Sequence, residues 1–188
     1  MAGELIQIVT QRVSKCRLMV GENEWIECEG PGLVVYVSFI NATNGEGTSI
    51  DTVRLGKAVK SILNAKLASS SGWKSDHSDA TSLMGLTDGP ETAQLTIIPQ
   101  ATLAGKLVPG DKYLKYHRQV DKDRGFTLYS DLIKSFVDAL VPSVVETPST
   151  ATGGQVTSEQ AVVTWGSFGK RQGFEMVSSG PSTHYFEF

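Results

Sequence analysis

Apolar and polar residues alternate around Ile6 and Ile8 and again around Cys16, Leu18 and Val20, which predicts a strand over residues 5–20. The polar stretch 10–15 between them predicts a bend or bulge in that strand. Trp25–Cys28 reads as a short return strand. The turn signal Gly30-Pro31-Gly32 then introduces Leu33–Val37, whose unbroken apolar character suits a strand buried on both faces. Over 49–67 the period changes. Leu55, Val59, Ile62 and Leu63 recur at helical spacing, with Ser49 as the candidate N-cap. A long polar loop is expected to run from Ser69 to about residue 92. Gln94–Ile98 and Ala101–Leu107 read as strands around a Pro-Gln interruption. The clearest helix is 126–141, where Tyr129, Leu132, Ile133, Phe136, Val137 and Leu140 form one stripe and Pro142 stops it. Residues 142–160, rich in Pro, Thr, Ser and Gly, are expected to form a flexible surface insertion. Strands over Ala161–Trp165, Gly173–Val177 and Thr183–Phe188 complete the pattern. Strand runs broken by two separate helices predict a single α+β domain over 1–188, with a mostly antiparallel, barrel-like sheet.

Composition narrows the class. With 188 residues and 40% hydrophobic residues, a disordered or collagen-like chain is excluded. The longest apolar run, residues 33–40, is too short for a membrane span, and no basic, apolar leader pattern precedes Leu5. With only Cys16 and Cys28, these features predict a cytoplasmic protein with no membrane partner. The net charge of −3 argues against a purely electrostatic nucleic-acid binder but leaves room for a local basic patch.

The familiar catalytic motifs are missing. There is no Gly-x-Ser-x-Gly elbow, phosphate-cradling Gly-Lys loop or His-Glu-x-x-His pair, and the cysteines and histidines lack paired ligand spacing. No metal and no cofactor is expected. Three segments resist a purely structural reading. In residues 97–103, Pro99 removes a ladder donor, marking an edge, a bulge or a sharp change of direction. Such a kink can aim successive backbone N–H groups into a cleft, where they hold a developing oxyanion. Residues 179–184 read only as a turn before the last strand. From 106 to 124, Lys106, Lys112, Lys115, Arg118, Lys122 and Arg124 interleave with Tyr113, Tyr116 and His117. That mixture suits a solvated loop, or a surface that meets phosphates and stacks on an unpaired base.

These segments carry a resemblance. Residues 8–13 (Ile-Val-Thr-Gln-Arg-Val), Gln100-Ala101-Thr102-Leu103 and Gly180-Pro181-Ser182-Thr183 are similar to motifs of the D-aminoacyl-tRNA deacylase family, also called D-tyrosyl-tRNA deacylases. Pro99 replaces the family's serine before Gln100, and His184 follows Thr183. Both departures, with segment 166–172, resemble the animal-type tRNA deacylase branch. The resemblance implies a hydrolase that cleaves the ester of D-aminoacyl-tRNA, a proofreading activity whose partner is the tRNA acceptor end. For the animal-type branch it implies removal of L-alanine from a mischarged threonine tRNA. A non-catalytic RNA-binding module on the same fold is the alternative of another class. The resemblance also implies a homodimer in which Gly180, Pro181 and Thr183 of one subunit contact substrate in the other's site. The Gly-Pro bond is cis in the main family and trans in the branch. The backbone N–H groups of Ala101 and Thr102 are the expected oxyanion donors, with Gln100 orienting substrate or water. Thr102 is expected to bind and orient, since the sequence shows no base to activate it as a nucleophile. Lys112, Lys115 and Arg118 are the expected tRNA contacts.

Overall fold

The computed structural model describes residues 3–42, 48–69, 80–110, 112–144, 149–178 and 180–188. Strands β1 (Glu4–Gly21) and β2 (Glu24–Asn41) form one long antiparallel hairpin. A register shift between Val13 and Lys15 supplies the expected bulge. The Gly30-Pro31-Gly32 signal does not mark a turn, because β2 runs straight through it. Its glycines serve close approach instead. A Cβ at Gly32 would lie 2.0 Å from the Gln94 carbonyl oxygen of the neighbouring strand, and Gly30 has φ +124°.

Helix α1 (Thr52–Asn64) starts after Ser49 and is capped by Asp51, which accepts from the Arg54 N–H at 2.8 Å. The predicted long loop contains three short elements: β3 (Ala68–Ser69), β4 (Ala80–Thr81) and α2 (Leu83–Thr87). Its residues 70–79 lie outside the described residues. Strand β5 (Ala93–Pro99) follows. Ala101–Leu107 is not one strand but a 3₁₀ turn (Ala101–Ala104) leading into β6 (Gly105–Leu107). Strand β7 (Leu114–Tyr116) pairs with β6, so the basic stretch is partly a hairpin. Helix α3 (Lys122–Leu140) begins before residue 126, because its polar first turn, capped by Asp121, shows no apolar stripe. The second half of 142–160 is sheet: β8 (Gly154–Thr157) pairs with β9 (Ala161–Trp165). Residues 145–148 lie outside the described residues. Strands β10 (Phe174–Val177) and β11 (Thr183–Glu187) both pair with β1.

The α+β class holds, but the sheet is mixed and open. Its order is β10-β1-β2-β5-β9-β8, with β11 also on β1, and among the described residues it does not close into a barrel. Strands β2, β5 and β9 run parallel to one another. One face carries Ile6, Ile8, Val35, Val37, Leu95, Ile97 and Val163, packed against the apolar sides of α1 and α3 in one continuous core. Fully burying such side chains contributes roughly 1.5–3 kcal/mol each. The other face shows Val34, Gln94, Thr96 and Thr164, over which the far half of the β1–β2 hairpin folds. Cys16 meets Thr96 Oγ1 at 3.2 Å there, and Cys28 meets Thr164 Oγ1 at 3.0 Å.

Candidate active site

The three parallel strands end together, at Phe39 near the end of β2, Pro99 of β5 and Trp165 of β9. The crevice beyond the carboxyl ends of parallel strands is where open α/β sheets bind ligands, because the loops diverge there. A cavity of about 870 Å³ opens at this place. Its walls come from Val37–Phe39, Ile98–Thr102, Gln119–Lys122 at the start of α3, and Phe168–Gln172 after β9. Tyr129 braces the floor. Its buried hydroxyl donates towards the carbonyls of Ile97 (3.2 Å) and Gly166 (2.9 Å), tying the ends of β5 and β9 to α3. Burial, opposed by the Gly166 hydrogen bond, raises its pKa well above the usual phenol value, so it stays a donor at physiological pH.

Pro99 occupies the last position of β5, opposite Val37, and the chain then changes direction. Because β5 is a central strand, the sharp-turn meaning of that proline holds and the edge meaning does not. Gln100 still donates its N–H to the Val37 carbonyl at 2.8 Å, which fixes the start of the 3₁₀ turn against β2. The first N–H groups of any helical turn have no intrahelical acceptor. Here the Ala101 and Thr102 N–H groups find none among the described residues, although both residues line the cavity. Thr102 Oγ1 likewise has no hydrogen-bonded base among the described residues.

Gln119 holds this turn, and nothing in the sequence pointed to it. Its Nε2 donates to the Ala101 carbonyl at 3.0 Å. In a trans peptide the C=O and N–H point in opposite directions, so a donor on Ala101 O fixes where Thr102 N–H points. The same bond polarises the peptide and strengthens its N–H as a donor. Gln119 is itself clamped to β2. Asn41 N–H donates to the Arg118 carbonyl (2.6 Å), Asn41 Nδ2 to the Gln119 carbonyl (3.2 Å), and Val120 N–H to the Phe39 carbonyl (3.2 Å). Arg118 adopts φ +69° to make this corner, a conformation that costs a non-glycine residue roughly 1–2 kcal/mol. Ser38 was also missed. It lines the cavity, is 3% exposed, and its hydroxyl has no partner among the described residues.

The remaining predicted residues lie elsewhere. Lys112 and Lys115 belong to the protruding β6–β7 hairpin, where Lys115 stands directly opposite Lys106 and Tyr113 is 81% exposed. Gly180, Pro181 and Thr183 lie across β1 from β2 and do not line the cavity. No described peptide bond is cis, so Gly180–Pro181 is trans. The Gly180 carbonyl is engaged within its own chain by the Ser182 N–H (2.9 Å), Gln11 Nε2 (3.3 Å) and the Ser178 hydroxyl. Thr183 Oγ1 donates to Gln11 Oε1. Gln11, adjacent to Arg12 in the first motif, is therefore the hub of this turn.

Known proteins match this architecture. The family model described as D-Tyr-tRNA(Tyr) deacylase matches residues 9–187. The human protein named D-aminoacyl-tRNA deacylase 2 is 32% identical over 165 residues, covering 88% of this chain and 80% of its own length. The Danio rerio protein of that name is 29% identical over 188 residues, covering 97% and 98%. A solved structure described as a probable eukaryotic D-amino acid tRNA deacylase superposes with a TM-score of 0.74 at 22% identity. It covers 98% of this chain and 100% of its own, and establishes the shared fold.

Proposed function

The chain belongs to the family of D-Tyr-tRNA(Tyr) deacylases and acts as a hydrolase on the ester of D-aminoacyl-tRNA, and we propose that it does so with the 3₁₀ turn after β5. The observation that carries this reading is the pair of N–H groups, Ala101 and Thr102, that have no acceptor among the described residues and lie on the wall of a cavity the size of a small-ligand site. An aminoacyl ester is already reactive. Water adds to its carbonyl carbon, the carbonyl oxygen gains the negative charge that the two N–H groups receive, and the ribose oxygen leaves with a proton. The products are a free amino acid and uncharged tRNA. Positioning and oxyanion stabilisation supply the acceleration, so a strong nucleophile is not required. Gln100 orients substrate or water.

Three finer parts belong to the same reading. The protein acts as a cytoplasmic homodimer, and Gly180, Pro181 and Thr183 of one subunit complete the cavity of the other. Support comes from their distance from their own cavity, two strands away in the sheet order. The acceptor end of tRNA lies along the β6–β7 hairpin, with Lys112, Lys115 and Arg118 facing phosphates. The exposure of Lys106, Lys112 and Lys115 together with Tyr113 on this one hairpin favours this, since basic and aromatic side chains on one surface suit phosphates and an unpaired base.

A second reading, removal of L-alanine from a mischarged threonine tRNA, is favoured by one observation. The Gly180 carbonyl is saturated by its own chain, so it is turned away from a substrate amine and leaves room for a small L-side chain. Side-by-side hydrolysis of D-aminoacyl-, glycyl- and L-alanyl-tRNA decides between the two. Cleavage of L-alanyl-tRNA within about tenfold of glycyl-tRNA, a gap of roughly 1.4 kcal/mol, establishes relaxed chirality. Complete resistance of L-alanyl-tRNA with cleavage of D-aminoacyl-tRNA restricts the activity to D-esters.

A further inference from the structure

The lip of the cavity opposite the 3₁₀ turn is a built loop. After β9 the chain runs through Gly166, Ser167, Phe168 and Gly169 to Lys170, Arg171 and Gln172. Gln172 closes the loop on itself: its Oε1 accepts the Ser167 N–H at 2.6 Å and its Nε2 donates to the Ser167 carbonyl at 3.2 Å. The Ser167 hydroxyl accepts from the Gly153 N–H (2.7 Å) and donates to the Val20 carbonyl (3.1 Å), anchoring the loop to β1. Gly169 turns in the left-handed region at φ +70°, and a Cβ there would lie 3.7 Å from Lys122 Cε. The stem of Lys122 therefore runs alongside the loop that presents Lys170 and Arg171.

Among the described residues, these three side chains are all of the cations that line the cavity. None forms an ion pair with a described acid. The one acidic residue among the described residues of the cavity wall, Asp121, already accepts the Arg124 N–H at 2.9 Å as the cap of α3. Three unpaired positive charges on a braced lip create a potential that favours an anion, and a cleft with low-dielectric walls concentrates it. Phe168 and Phe174 line the space beside them, which suits a sugar or base. The arginine fork is matched to phosphate oxygens, and lysine supplies the point charges.

We propose that Lys122, Lys170 and Arg171 bind the 5′-phosphate of the nucleotide that carries the aminoacyl ester. The proposal rests on the reading that the ester lies at Ala101 and Thr102. One ribose separates that ester from the nucleotide's own 5′-phosphate. An occupant whose ester reaches the 3₁₀ turn therefore brings its phosphate into the same cavity, where the lip cations are the positive groups that meet it. The terminal nucleotide is thus held at both ends, and the contact is independent of tRNA sequence.

The test uses two minimal substrates, D-tyrosyl-adenosine and its 5′-phosphorylated form, D-tyrosyl-AMP esterified on the ribose 2′/3′ hydroxyls. The wild-type protein is expected to cleave the phosphorylated form with at least tenfold higher kcat/KM. In Lys170→Ala/Arg171→Ala that preference falls to within twofold, while D-tyrosyl-adenosine is cleaved as before. Lys170→Arg/Arg171→Lys, which keeps both charges, retains most of it. A binding readout runs beside activity: AMP competes more tightly than adenosine in the wild type, and equally in the double alanine variant. Equal cleavage of both substrates by the wild type, or equal loss on both in the variant, overturns the phosphate site and leaves the deacylase reading standing. Failure to cleave D-aminoacyl-tRNA as well removes that reading, and this inference with it. Both substituted residues are exposed, and melting curves matching the wild type verify the fold.

Discussion

The 3₁₀ turn after β5 and the turn at Gly180 carry the two best-matched motifs, yet they are built in opposite ways. The first stands where three parallel strands converge, braced from beneath by Tyr129 and from the side by Gln119, with its Ala101 and Thr102 N–H groups left without acceptors among the described residues. The second lies at the margin of the sheet, and its Gly180 carbonyl is satisfied by Gln11, Ser178 and Ser182. One region keeps hydrogen-bonding capacity in reserve and the other has spent it. A chain that reserves donors can perform chemistry there. A turn whose Gly180 carbonyl is already satisfied presents shape rather than hydrogen-bonding capacity.

The sharpest way to break this contrast is to separate the regions between subunits. Thr102→Ala, which removes the orienting hydroxyl and keeps the N–H, and Pro181→Ala, which frees the rigid turn, are each expected to lose about 100-fold in kcat/KM as homodimers through misplacement of the ester. In randomly mixed dimers half of the molecules are hybrids, and each hybrid retains one intact composite site, so activity returns to about a quarter of wild type. No recovery in dimers shown to be mixed means that both regions serve one site within one subunit.

Gln119 tests the first region alone. Gln119→Ala loosens the Ala101–Thr102 peptide without removing its N–H, so kcat is expected to fall about tenfold while KM stays within twofold. Gln119→Glu, which cannot donate, falls as far, and Gln119→Lys, which can, recovers much of the loss. A fall in KM and kcat together, the same for all three variants, signals general disruption instead.

A smaller effect tests the support beneath both regions. Arg124 reaches Glu4 through two hydrogen bonds, at 3.0 and 2.7 Å, and joins the start of β1 to α3. Arg124 chiefly, against the cost of burial and helped by the Ile50 N–H, holds the Glu4 carboxyl below its ordinary value. A carboxylate with a lowered folded-state pKa stabilises the fold above its unfolded value, and the contribution disappears as pH falls through the folded value. Glu4→Gln is therefore expected to cost about 1–2 kcal/mol in denaturant titrations at pH 7 and progressively less towards pH 3. A penalty unchanged with pH assigns the loss to packing.

The smallest effect belongs to the hairpin. Lys112→Ala is expected to weaken binding of all tRNAs alike and lower the salt slope by about one unit. An unchanged slope returns that residue to solvent.

Much of this was legible in the residues, and the failures have physical reasons. The alternation at Ile6 and Ile8 and the stripe from Tyr129 to Leu140 report burial directly, so β1 and α3 were readable. Gly30-Pro31-Gly32 misled because glycine serves turns and close strand approach alike, and only the neighbour, Gln94, distinguishes them. Ala101–Leu107 looked like a strand because a single turn of 3₁₀ helix is too short to impose a period. The cavity-lining turn was legible through Pro99 and the motif around Gln100. Gln119 was not, since its role depends on a carbonyl 18 residues away in sequence that folding brings to it. The Gly-bracketed pair Lys170-Arg171 offered a usable signal: basic residues in a tight turn directly after a buried strand.

Cys16 and Cys28 face each other in register across β1 and β2, sealed between the far half of that hairpin and the sheet it covers. Neither thiol can meet a reagent while the flap is down. Their alkylation rate therefore counts how often the flap lifts, and under fast reclosing it measures the free energy of that opening directly. While the flap is down, hydrogen bonding to Cys16 chiefly, against the cost of burial and helped by Thr164 and Gln155, holds the Cys28 thiol below its ordinary value, and lifting the flap removes the Thr164 and Gln155 contacts. The molecule thus carries a native clock for its own partial unfolding, one that runs without a label and can be read with and without tRNA bound.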